Sequence, residues 1–169
     1  MDTEGAQGIA KEFSGAGPFF AAARDAGLFL DHLKAQEEAV ASSARLRGTA
    51  DGPIHQGWLR RNEALRKRSA AIVEAAELAC FGVDGRGGIA ALLDTRYADA
   101  VAAHHQYHLT WPETAESVGM SERWCQNAIP KAFAEIDAMG LARFLDEWCG
   151  PRMTLREFLD RQSAEAAED

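Results

Sequence analysis

The sequence predicts an all-α protein, with a long helical pair in its N-terminal part and a C-terminal bundle built around a helix-turn-helix. Three observations lead there. Apolar residues fill 47% of the 169 positions, enough to bury a core. Alanine dominates that fraction, and alanine is the strongest helix former. No alternating run of β-branched residues calls for a sheet.

Residues 1–17 are Gly-rich and polar and read as a flexible tail. Phe19, Phe20, Ala23, Leu28, Leu30, Leu33, Ala39 and Val40 then recur at roughly helical spacing through Arg45. The run from Arg47 to Pro53 is a loop. A second long helix is expected from Gln56 to Cys80, with Leu59, Leu65, Ile72, Val73, Ala76 and Leu78 as its apolar contributors. Residues 18–81 therefore read as a helical hairpin or a dimerisation region, although neither helix keeps a heptad repeat. Residues 82–88 carry four glycines and read as a linker. They lack the Lys-Ser/Thr ending and the preceding strand of a phosphate-binding loop.

Residues 89–150 form the expected helix-turn-helix domain, entered through Ile89, Leu92, Leu93, Tyr97 and Val101. Leu141 to Trp148 reads as a short amphipathic helix that Gly150-Pro151 breaks. Residues 151–169 form a C-terminal helix and tail. Thr154 and Glu157 make a capping box, the helix runs from Leu155 to Ala164, and the last residues fray.

Thr110 to Ile136 is the most informative stretch. Thr110 and Glu113 form a T-x-x-E capping box, and Pro112 falls in the first turn, where its missing N–H costs little. Gly119 supplies the stop, and Ser121 is a good N-cap for the next helix. Two helices joined by so tight a turn make a helix-turn-helix, which presents its second helix to a DNA groove. Pro130 lies within that second helix, so a bend near Asn127 to Pro130, or a stop and restart, is expected.

With Ser121 as N-cap, Glu122, Arg123, Gln126, Asn127 and Lys131 are expected at the surface, and Cys125, Ile129, Ala132 and Ile136 in the core. Arg123 suits guanine, Gln126 or Asn127 suits adenine, and Lys131 and the Ser121 hydroxyl suit phosphate. The plain alternative is a set of solvated residues on an outer helix face. Charge speaks against DNA: residues 95–150 carry a formal net of −4. Residues 45–68 carry +5, with Arg60, Arg61, Arg66, Lys67 and Arg68 as possible contacts to the phosphate backbone. That role requires the patch to fold beside the second helix or to come from another subunit.

Other chemistry finds less support. His104 and His108 are spaced to share a metal, but no further ligand completes the set, so no metal or other cofactor is expected. A place on the helix surface, or packing against Trp111, is the simpler role for these histidines. Trp111 and Trp148 fit core positions, while Trp58 and Trp124 fit interface anchors. No catalytic motif occurs, so no enzyme is expected. Three widely spaced cysteines without a C-x-x-C, an acidic N-terminus and no long apolar run point to a cytoplasmic protein without a membrane role.

Leu93 through Ile136 resembles the helix-turn-helix of sigma-factor region 4 and of phage ArpU and RinA-type transcriptional regulators. Tyr97 and Val101 match the first helix of that pattern, and Leu109, Thr110, Trp111 and Glu113 match the next entry. Ala115, Gly119, Ser121 and Arg123 complete the match, while His104, His105 and His108 depart from it. The resemblance implies a sequence-specific transcriptional regulator, phage or prophage encoded. Its partners would be double-stranded DNA and RNA polymerase, and its assembly a homodimer. Two alternatives follow from the same fold: a sigma-like module that binds polymerase or another regulator, and the DNA-recognition subunit of a phage packaging terminase.

Overall fold

The structure, a computed structural model, describes residues 1–46, 48 and 53–168. The chain is all-helical, and among the described residues nine α-helices and no strand occur. Most of the loop expected between Arg47 and Pro53 lies outside the described residues. The expected Gln56 start falls inside a helix that begins at Pro53.

Residues 1–17 are not a loose tail. Helix α1 (Thr3–Ala10) is capped by the Asp2 carboxylate, which accepts from the Gly5 amide at 2.8 Å. Ala6 and Ala10 are buried, and α1 packs on two later helices. A face made chiefly of alanines has little hydropathy, yet it lets helices approach closely and seal a core.

Helices α2 (Ala16–Leu46) and α3 (Pro53–Phe81) pair as an antiparallel hairpin. Phe19, Phe20, Ala23 and Ala26 at its root join Ile72, Ala75, Ala76 and Ala79 in the core, whereas the outer part buries little beyond Leu33. The first turn of α2 takes its cap from far along the chain: the Ala16 amide donates to the Asp137 carboxylate at 2.8 Å.

The glycine-rich segment 82–88 is a packed junction and not a separating linker. The Val83 amide donates to the Cys149 carbonyl at 2.8 Å, and the Gly87 amide donates to the Phe81 carbonyl at 2.9 Å. Its glycines serve close backbone approach, so the two expected domains share one core. Helix α4 (Gly88–Leu92) follows at once, and Asp94 caps α5 (Thr95–Val101).

A π-helical turn, Ala102–Gln106, extends α5 and leads to α6 (Trp111–Val118) and α7 (Glu122–Met139). Helix α8 (Leu141–Cys149) closes the core with Phe144, Leu145 and Cys149. Helix α9 (Leu155–Glu168) opens with the expected Thr154–Glu157 box but runs beyond Ala164 into the stretch expected to fray. Cys80, Cys125 and Cys149 are buried free thiols. Among the described residues no helix is long and apolar enough to cross a membrane.

Candidate functional site

The site is the exposed face of α7, which α5 and α6 support from behind. Local chemistry sets the entry to α6. The Glu113 amide donates to the Thr110 hydroxyl at 3.4 Å, and the Thr110 amide donates to the Glu113 carboxylate at 2.8 Å. The Thr110 amide and hydroxyl hold the Glu113 carboxyl below its usual range. Pro112 lies in the first turn.

The turn between the helices is short. Gly119 adopts φ +73°, a conformation that favours a residue without Cβ, and the Gly119 and Met120 amides both donate to the Ala115 carbonyl, at 2.9 and 3.1 Å. Ser121 then caps α7 by accepting from the Trp124 amide at 3.1 Å.

Cys125, Ala128, Ile129, Ala132 and Ile136 of α7 face the core. Ser121, Glu122, Arg123, Gln126, Asn127 and Lys131 are all exposed. At about 3.6 residues per turn, Arg123 and Asn127 lie near the middle of the open face. Glu122 and Gln126 fall on one flank, and Lys131 on the other beside the half-buried Trp124.

The helix runs unbroken through Pro130, against the expected stop and restart. Pro130 is exposed, so the carbonyl that loses its partner is on the solvent side. The buried apolar stripe continues on both sides of it and holds the helix together.

The basic stretch of α3 does not lie beside α7, because these two helices share no substantial packing. Arg60, Arg61, Arg66, Lys67 and Arg68 are exposed along the hairpin. Three of them are ion-paired: Arg66 with Glu37 at 3.9 Å, Lys67 with Glu63 at 2.9 Å, and Arg68 with Glu12 at 2.6 Å. Helix α7 instead meets the root of α2, where Phe133 stacks on Phe20 with ring centres 5.0 Å apart.

The histidines support α7 from behind. His104 stacks on Trp111 at 3.9 Å, as the sequence suggested, and its Nδ1 lies 3.0 Å from the Leu109 carbonyl. His105 lies between Phe20 and Phe133, with ring centres at 6.0 and 5.5 Å. Its burial was legible in retrospect, since Ala98, Val101, Ala102 and His105 share one helical face. His108 takes the left-handed conformation at φ +57°. Among the described residues no three His, Cys, Asp or Glu side chains gather into a metal-holding group.

Burial pushes the His105 pKa down to about 4, helped by the nearby His104 and Arg24. His105 is therefore neutral in the fold at pH values where the unfolded chain is protonated. Its contribution is lost as pH falls from about 6.5 to about 4, roughly 3 kcal/mol over that window. Urea unfolding across this range is expected to show the loss, and His105→Leu is expected to flatten it. An unchanged pH slope in the variant would remove His105 as its source.

Sequence reasoning missed Arg96 and the inward packing of Trp124. Trp124 packs against Tyr97 with ring centres 5.1 Å apart, so it is in part an internal strut. The Arg96 guanidinium lies over Trp124 at 5.9 Å, and the Lys131 ammonium lies over Tyr97 at 5.6 Å. No local pattern announces these partners, because Arg96 and Trp124 belong to different helices.

No family model, curated protein or solved structure matches the chain. The open face of α7 thus rests on its own chemistry: a guanidinium and one amide in the middle of the face, a second amide on one flank, one ammonium on the other, and α5 and α6 packed behind.

Proposed function

We infer that the protein is a sequence-specific DNA-binding transcriptional regulator that inserts α7 into the major groove. The exposed set Arg123, Gln126 and Asn127 carries this reading, because it follows a capped, tight turn on a helix whose opposite face is core. Arg123 would bond guanine in a bidentate manner, and Gln126 or Asn127 would bond adenine. Lys131 and the Ser121 hydroxyl would contact phosphate. A phage regulator acting with RNA polymerase in the cytoplasm fits the resemblance of Leu93–Ile136 to sigma region 4. As a homodimer, the protein would place two such helices about 34 Å apart on adjacent half-sites.

The test is a titration against fragments of the protein's own genomic neighbourhood, with excess random competitor, at two salt concentrations. A retained fragment whose affinity falls roughly 5- to 150-fold in Arg123→Ala is the expected result. Absence of any retained fragment would turn the reading to a protein-interaction module. One observation favours that second reading: residues 95–150 carry a net of −4, while Arg66, Lys67 and Arg68 on the hairpin are ion-paired.

A further inference from the structure

A DNA-reading face needs cations on the strands that flank the groove, and the basic hairpin does not lie beside α7. The edge of α7 offers another source. Arg96, Trp124, Tyr97 and Lys131 form a continuous ladder in which cation, ring, ring and cation touch in order. We propose that this ladder is a phosphate rail, with Arg96 and Lys131 taking the backbone of a DNA duplex beside the groove that α7 enters. The proposal rests on the DNA-reading function and deepens it.

The geometry of Arg96 carries the argument. Its Nη2 meets Asp94 Oδ2 at 3.0 Å, and its Nε meets Asp94 Oδ1 at 3.3 Å. One edge of the guanidinium is thereby fixed, while its face lies over Trp124. The remaining Nη1 lies 3.9 Å from Met120 Sδ, a weak acceptor, in the turn that leads into α7. The guanidinium as a whole is ion-paired with Asp94, but its Nη1 is held at the start of the reading helix without a strong acceptor.

Lys131 sits at the other end. Its Nζ has the Tyr97 ring beneath it, and its side chain is on the same flank of α7 as Trp124. Aromatic faces hold both cations by attraction to their ring electrons, which limits the ordering cost when phosphate binds. Asp94 is the opposing charge. It orients Arg96 but also repels phosphate, and that double role gives the test its second arm.

The experiment measures Kd for a retained fragment and for a random duplex over a range of salt concentrations, using the full chain. Arg96→Ala and Lys131→Ala are each expected to weaken both duplexes by the same factor and to lower the salt slope by about one. Asp94→Asn keeps an N-cap, because Asn caps as well as Asp. It is expected to tighten both duplexes several-fold at low salt. Native salt slopes in both alanine variants, with no tightening in Asp94→Asn, would overturn the rail alone if Arg123→Ala still lost discrimination. Binding to neither duplex by the native chain would overturn the rail and the DNA reading together.

Discussion

Phe20→Ala is expected to lower stability by about 3–5 kcal/mol, the range for emptying a buried phenylalanine site. Phe20 is fully buried at the root of the hairpin, and its ring stacks on Phe133 of α7 while it meets Phe19 edge-on at 5.1 Å. Removing it deletes contacts on three elements at once: α2, α7 and the π-helical turn that carries His105. Collapse of neighbours cannot refill the space easily, because much of the surrounding core is alanine with no length to extend. Urea unfolding would measure the loss. A change below about 1 kcal/mol would show that the site closes up and that Phe20 does not join hairpin to bundle. The same variant opens His105 to water, so the acid sensitivity described above is expected to shrink with it.

Gly88→Ala is expected to cost about 2–5 kcal/mol from two separate sources. Gly88 adopts φ +65°, where an L side chain is strained by roughly 1–2 kcal/mol. A methyl group there would also overlap the Ala79 carbonyl oxygen and lie 2.7 Å from that of Cys80. Both oxygens belong to backbone at the end of α3, so relief requires the helix itself to shift, typically at about 1–3 kcal/mol. A thermal melt would show the effect directly. Gly85→Ala is the control for strain without overlap, since Gly85 has φ +75° with open space around its Cα. Equal melting temperatures for the two variants would mean that segment 82–88 behaves as a free connector after all.

These two glycine positions explain why part of the fold was hidden in the sequence. Glycine marks both freedom and close approach, and only the position of the Ala79 and Cys80 carbonyls in space distinguishes them. Signals that act within one helical turn were legible: Thr110 with Glu113, Gly119, and Ser121 with Trp124 all do locally what their residue types dictate. So was the buried stripe of α7, because periodicity needs no knowledge of what covers it. Tertiary packing decided the rest. Alanine spacing in Thr3–Ala10 gave too little contrast to announce a helix, and Pro130 was outweighed by the stripe that runs past it.

The candidate face was legible to the same extent. The exposure of Arg123, Gln126 and Asn127 follows from helical spacing once Ser121 is the cap. The cations beside that face do not follow, since Arg96 and Lys131 meet their rings only when α5 crosses α7. The net charge of a sequence window identified basic residues on α3 but could not say that Glu37 of α2 and Glu12, just before α2, would meet two of them.

The bond between the Ala16 amide and Asp137 has a consequence for the order of events at the ribosome. Its two ends are 121 positions apart in the chain. At about 5–20 residues per second, Asp137 is made roughly 6–24 s after Ala16. Throughout that interval the nascent hairpin waits with its first turn uncapped, and the Phe20 side chain waits without Phe133. The N-terminal half therefore reaches its final packing only after α7 has emerged, so assembly of α7 and completion of the core are one late event.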